Sequence, residues 1–237
     1  MPTSLSRIAR MLLAGALLFA GAAQAAEASK HLAPGFSARP AGSKLVVVPA
    51  DMELYSISAG GVVEPRADWT EAAQKNFLAA LDAKGKLLGP DVAQLPPAAA
   101  DDLYEIVSLE RAVASAIAMH HRGGDMQLQT KGDRLDWSLG DAVKPLKERT
   151  GADYALFTWV RDTYASGERK AAMLALALIG AISVGGEQEG HATLVDLNTG
   201  RVVWFNKISR MSGDLREPKP AMETVEALLK DFPELQK

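Results

Sequence analysis

The residues best suited to chemistry in this chain are four histidines, a scatter of serines and carboxylates, and one glycine-rich run. His120 and His121 are adjacent at the end of a predicted helix. Neighbours on a helix point about 100° apart, a poor geometry for holding one ion. The pair reads instead as a favourable interaction with the helix dipole. His191 opens a predicted strand and reads as an ordinary strand residue, packed or exposed. No His-Glu-x-x-His pairing is present. No serine sits in Gly-x-Ser-x-Gly, and none has the Ser-x-x-Lys context on a plausible helix. The run Gly185-Gly186-Glu187-Gln188-Glu189-Gly190 lacks the Lys-Ser/Thr of a phosphate loop and reads as a flexible connection. The carboxylates form no pair that could be assigned to glycoside chemistry. The sequence therefore predicts no catalytic, cofactor-binding or metal-ligating residue and no cofactor. The chain is expected not to be an enzyme, with a hydrolase kept only as a remote alternative.

Composition narrows the class further. The 237 residues carry a net charge of −3, which lacks the basic footprint of a nucleic-acid binder. There is no cysteine, so no disulfide, thiol nucleophile or Cys-based metal site is available. Hydrophobic residues make up 48% of the chain, enough for a real core without staples. At the amino end, Arg7 and Arg10 precede an apolar run over residues 11–20, and Ala23-Gln24-Ala25 supplies small residues for cleavage. This is the grammar of a secretory signal peptide over residues 1–25. The apolar run is shorter than the ~20 residues a span needs. With no cysteine after the cut, the mature chain is expected to be released into the periplasm and not to be a lipoprotein.

The elements that must position any site follow from periodicity. Residues 26–43, with Pro34, Gly35, Pro40 and Gly42, read as an extended leader. Lys44-Leu45-Val46-Val47-Val48-Pro49 reads as a central buried strand closed by Pro49. Residues 51–66 suggest a short edge strand and a turn. Asp68 and Glu71 suggest a capping box for a helix with Trp69, Ala73, Phe77 and Leu81 on one face and Gly85 as its stop. Lys86-Leu87-Leu88 suggests a short strand. One long helix is predicted over residues 98–121, with Leu103, Ile106, Val113, Ile117 and His120 on one stripe. Residues 126–137 read as irregular or a hairpin. Ser138 and Asp141 look like caps of a third helix running to Thr150, distorted by Pro145 and stopped by Gly151.

Residues 154–162 read as a strand. Residues 171–184 form an apolar segment of about fourteen residues, too short to span a membrane and without a polar face. Asn198-Thr199-Gly200 is a hairpin turn between two late strands. A last amphipathic helix carries Met222, Val225, Leu228, Leu229 and Phe232. The whole predicts an α/β (α+β) sandwich: a mixed sheet with a late antiparallel hairpin and helices packed on it, as one domain over residues 44–237 with a helical insertion at about 167–186.

Three pieces carry a resemblance. They are the Leu-Val-Val-Val-Pro strand, Gly151-Ala152-Asp153-Tyr154-Ala155-Leu156, and Leu194-Val195-Asp196-Leu197-Asn198-Thr199-Gly200-Arg201-Val202-Val203-Trp204. Together they resemble the periplasmic α/β domains of the TolB amino-terminal part, the curli secretion lipoprotein and the lipoprotein activators of penicillin-binding proteins. The resemblance covers roughly residues 44–229. It implies a non-enzymatic accessory protein that binds an envelope partner or supports envelope or secretion assembly. The chain departs from those lipoproteins by lacking the lipidated cysteine, from TolB by lacking propeller repeats, and from the curli pore by a helix-like insertion where that protein has membrane-crossing strands. A partner surface is expected at Trp159, Arg161 and Tyr164, and along the insertion at Met173, Leu174, Leu176 and Leu178. Trp159 and Trp204 also suit the core. The alternative is self-association or membrane attachment through residues 171–184.

Overall fold

The computed structural model describes residues 30–121, 126–177 and 186–236. A single mixed sheet lies at the centre. Strand β1 (Leu45–Val47) and strand β2 (Asp51–Ile57) run one after the other along the same side of the long strand β5 (Tyr154–Ala165), both parallel to it. Pro49 separates them because it has no N–H to give the ladder. Strand β6 (Gln188–Asp196) lies antiparallel on the other side of β5, and β7 (Val202–Arg210) lies antiparallel to β6. Beyond β1 and β2 sit two short edge strands, β3 (Val63–Pro65) and β4 (Val92–Gln94). The late hairpin turns at Gly200, whose φ is +71°. A Cβ there would lie 2.2 Å from the Gly140 carbonyl oxygen, so glycine is required twice over.

Seven helices among the described residues pack around this sheet. One face is closed by α1 (Ala67–Ala83), with the short α2 (Gly85–Leu88) behind it, and by the C-terminal α7 (Pro218–Leu228). Phe77 and Leu81 of α1 and Val225 and Leu228 of α7 bury against Leu54, Leu156, Val160, Leu194 and Trp204 of the sheet. Asn206 of β7 is buried and donates to the carbonyls of Ala227 and Leu228 at 2.8 and 2.9 Å, which satisfies the end of α7. The other face meets α3 (Pro97–Asp101), α4 (Tyr104–His120) and α5 (Lys144–Thr150). Ile106, Ala114, Ile117 and Leu146 there cover Val46, Phe157, Val195 and Phe205. Helix α6 (Gly167–Ala177) follows β5.

The α/β mixed-sheet prediction holds, and several local expectations change. The described part of the extended leader, residues 30–43, is tied to the domain. The Phe205 N–H donates to the His31 carbonyl and the Ala33 N–H to the Val203 carbonyl, both at 2.9 Å, so this stretch extends the sheet beside β7. Arg39 is buried, donates to the Pro233 and Leu87 carbonyls at 3.1 and 3.2 Å, and has its pKa lowered by that burial. Residues 51–66 form a full hairpin whose first strand lies inside the sheet, because β5 extends three residues past its predicted end and gives β2 a partner. No capping box forms: Arg66 is the N-cap without a side-chain bond, and Asp68 turns back to pair with it at 2.7 Å. Gly85 starts α2 where a helix stop and a strand were expected, and Gly89, at φ +104°, ends it. The predicted long helix breaks at Asp102-Leu103 into α3 and α4. Ser138 caps no α-helix; its hydroxyl accepts from the Gly140 N–H at 2.9 Å ahead of a 3-10 turn, and Pro145 falls harmlessly in the first turn of α5. Gly151 ends α5 in the left-handed region, as expected.

Candidate functional site

Strand pairing places side chains in rows across the sheet, alternating between faces. On the α4 face, one row reads Asp51, Trp159, His191, Lys207, and the next reads Glu53, Arg161, Glu189, Ser209. Tyr55 and Thr163 continue it. Helix α4 covers the rows below these and, within these, buries only His191. Trp159, Arg161, Asp51, Glu53, Tyr55 and Thr163 are therefore half-buried, and Glu189, Lys207 and Ser209 are exposed. The neighbours that point to the other face (Met52, Leu54, Val160, Asp162, Gln188) are all buried. Among the described residues, no helix covers this half of the sheet face beyond His191.

The open half is organised by aromatic and ionic contacts. Trp159 stacks on His191 with centroids 5.4 Å apart, and the Arg161 guanidinium lies 4.9 Å over the tryptophan ring. His191 is in turn stacked against Phe205 at 5.8 Å. Asp51 accepts from Arg161 at 2.7 Å and from Arg111 of α4 at 3.0 Å, so one carboxylate serves two guanidiniums. The Tyr55 hydroxyl donates to Glu53 at 2.5 Å, and that bond raises its pKa. Underneath, Glu110 of α4 is buried with its Oε1 3.7 Å from Nε2 of His191. Neither atom makes a hydrogen bond. Beside α4 these groups border a cavity of about 380 Å³ lined by Arg111, Ser115, Met119, Trp159, His191 and Lys207, among others.

The opposite face holds a polar cluster of a different kind. Asp162 is buried and accepts from the Tyr164 hydroxyl and from Gln188. Arg210 donates to Gln188 at 2.7 Å and also bonds Thr224 of α7, and the Leu215 N–H donates to the Tyr164 oxygen at 2.8 Å. Burial pushes the Asp162 carboxyl up to about 6, against the pull of its two hydrogen bonds. Burial and the adjacent Asp162 charge also raise the Tyr164 pKa. Arg216, paired with Asp214 at 2.6 Å, covers the rings of Trp69 and Tyr164.

The expected partner residues are thus split. Trp159 and Arg161 share the open half-face. Tyr164 points the other way into the core, because it lies an odd number of residues from both. Met173 and Leu174 lie on α6, the first half-buried and the second 70% exposed. Leu176 falls within the α6 range, and Leu178 lies outside the described residues. Trp204 is wholly in the core. His120 and His121 bond the carbonyls of Met126 and Lys30, both at 2.9 Å, so each ring ties down a neighbouring segment. Sequence reasoning missed Glu110, Arg111, Asp51 and Lys207. Glu110 did leave a signal: it is a lone charge in the apolar stripe between Ile106 and Ala114.

No family model matches the chain, and no curated protein matches it. Solved structures do. The PelC dodecamer from Paraburkholderia phytofirmans is 16% identical, with 85% of this chain and 96% of that one covered at a TM-score of 0.41. Lipoprotein GNA1162 from Neisseria meningitidis is 14% identical, with 72% and 81% covered at 0.29. The LpoB C-terminal domain from Escherichia coli is 11% identical, with 75% and 87% covered at 0.30.

Proposed function

We propose that this chain is a non-enzymatic accessory protein of the periplasm that binds an envelope protein through the open half of its sheet. The observation that carries the reading is the pair of rows from Asp51 to Lys207 and from Glu53 to Ser209, open except at His191, with Trp159 and Arg161 at their centre. Aromatic rings and arginine guanidiniums are the groups that anchor protein interfaces, and charged rims of both signs set register and specificity. The rest of a sheet this size is covered by helices of the same chain, so an open half-face is the surface left for a partner. In the same reading residues 1–25 are a cleaved signal peptide, and the mature protein is one domain carrying a helical insertion at about 167–186.

The test is site-resolved. A photo-reactive residue is placed at Glu53 or at Glu189 and irradiated in intact cells. A discrete adduct with the same envelope protein is expected from both positions and not from Glu148, which is exposed on α5. No adduct from either position, or the same adducts from Glu148, sinks the proposal.

A second reading is self-association through the helical insertion, and Leu174 favours it. A leucine left 70% exposed on a helix with an apolar continuation is a natural interface group. Among the described residues no helix is long and apolar enough to cross a membrane. The mass of the purified mature chain in detergent-free buffer decides this reading: a monomer rejects it.

A further inference from the structure

We propose that a second cavity, at the carboxyl ends of β1 and β4, binds a small uncharged apolar molecule. Its volume of about 480 Å³ lies within the range of small-molecule sites. It lies beside α1 and is lined by Val47, Pro49, Phe77, Leu78, Leu81 and Leu95, among others.

The topology opens it. At this end of the sheet the Val48 N–H donates to the Leu156 carbonyl at 3.0 Å and the Leu95 N–H to the Val47 carbonyl at 2.9 Å. Each chain then meets a proline, Pro49 or Pro96, which has no N–H to extend the ladder. There the two chains part. The one leaving β1 passes through β2 and β3 and returns along α1 on the closed face, while the one leaving β4 enters α3 and α4 on the other face. Parallel neighbours whose connections leave to opposite faces hold a crevice outside their carboxyl ends, and open α/β sheets bind ligands in such crevices. The chain leaves this one unfilled: Leu78 on its wall is 45% exposed, although Phe77 and Leu81 of the same helix are buried.

The lining selects against charge. The polar side chains on the wall are Gln74 and Gln94, and no charged side chain lines it among the described residues. The cavity beside α4 is walled by Arg111, Glu189 and Lys207, and one of about 420 Å³ at the amino end of α1 by Glu53, Arg66 and Arg161. Two acids stand next to the apolar wall, and both are engaged. Asp82 accepts from Nε2 of Gln94 at 3.3 Å, and Asp51, which follows Ala50, pairs with Arg111 and Arg161. An ion in this cavity would lose water and meet no counter-charge, whereas an apolar body gains from its own burial and from covering Leu78. With its nitrogen committed to Asp82, Gln94 keeps its carbonyl oxygen as an acceptor for a single N–H or hydroxyl of the ligand.

The experiment uses the mature protein alone, so its outcome is independent of partner crosslinking. The probe is N-phenylnaphthylamine, an uncharged fluorophore with one N–H. Anilinonaphthalenesulfonate supplies the same aromatic body with a negative charge. Saturable enhancement with a Kd below about 10 μM is expected for the uncharged probe, and binding at least about tenfold weaker for the sulfonate. Leu78→Glu and Gln94→Lys, at exposed side chains on two different elements, each put a charge on the wall. Each should weaken the uncharged probe by about tenfold or more without lowering the unfolding midpoint. Leu174→Ser alters an exposed side chain that does not line the cavity, and should leave the titration unchanged. No saturable enhancement overturns the proposal. So does equal binding of the sulfonate, or an unchanged titration in every wall variant that folds. Loss of binding in Leu174→Ser overturns it too, because the probe would then sit on the insertion.

Discussion

The two faces of the sheet treat a buried acid in opposite ways. On the closed face, Asp162 sits among Tyr164, Gln188, Arg210 and Thr224, and its Oδ2 accepts two hydrogen bonds. On the half-open face, Glu110 is as deeply buried, yet its Oε1 makes none and lies 3.7 Å from Nε2 of His191. A satisfied polar cluster rigidifies a core, whereas an unsatisfied one leaves free energy to be recovered by something that binds. The closed face is built for stability, and the half-open face gives some of that up.

The largest effect is expected from paired tryptophan truncations. Trp204 is fully buried, edge-on to Phe232 at 5.1 Å. Trp204→Ala should cost about 3–5 kcal/mol in urea unfolding, the range for deleting a large core aromatic. Trp159 is half-buried on the open face, and Trp159→Ala should cost about 1–2 kcal/mol, mostly its stacking on His191. Equal costs would mean that the open half is as much core as the other, and the partner surface would be lost.

Next comes the acid of the closed face. Asp162 ionises near 6 in the fold against an ordinary value of 3.8. Between those pH values the folded protein holds this proton and the unfolded chain does not, so stability falls as pH rises through the window. Below the ordinary value both states are protonated, and above about 6 the full cost is present. The shift corresponds to about 3 kcal/mol. Asp162→Asn keeps an oxygen for Tyr164 and Gln188 but cannot ionise. Its stability-versus-pH curve should be flatter than that of the unaltered protein over this window by about that amount. Parallel curves would show that the carboxyl is not buried as described.

The corresponding pair on the half-open face should behave as a couple. Glu110→Leu leaves the His191 ring without its neighbour, and His191→Phe leaves a buried carboxylate alone. The double variant removes both problems, and replacing a buried ionic pair with apolar groups is often neutral or better. We expect a coupling of about 1–2 kcal/mol in the double-mutant cycle, with the double variant more stable than at least one single. Additive effects would mean that the two groups do not interact across the 3.7 Å between them.

The sequence made the closed face more legible than the open one, for physical reasons. Leu45–Val47, the Phe77 and Leu81 stripe and the Asn198-Thr199-Gly200 turn are local signals, and each appears where periodicity or backbone preference put it. The short edge strands β3 and β4 are three residues each, too short to show a period, and they exist because β1 and β2 offer open edges. The break between α3 and α4 has no glycine or proline at it, so nothing local announced it. The open half-face depends on register across β2, β5, β6 and β7, which brings Asp51 beside Trp159, His191 and Lys207 from far apart in the chain. Trp159 and Arg161 were visible as candidates through residue type alone. Tyr164, of similarly suitable type, turned to the other face, a distinction that only parity along the completed strand could supply.

The smallest stability effect tests whether the insertion is a third kind of surface. Leu174 on α6 is 70% exposed, so Leu174→Ser removes almost no burial in the isolated chain and should change unfolding free energy by no more than about 0.5 kcal/mol. Its effect on assembly is the informative part. If the purified protein is an oligomer and Leu174→Ser shifts it to monomer at unchanged stability, the helix is a contact between copies, and the open half-face remains the partner surface beside it. If Leu174→Ser instead costs as much as Trp159→Ala while the mass is unchanged, α6 packs on its own domain in solution. The apolar insertion would then belong with the closed face, as part of what holds the fold together.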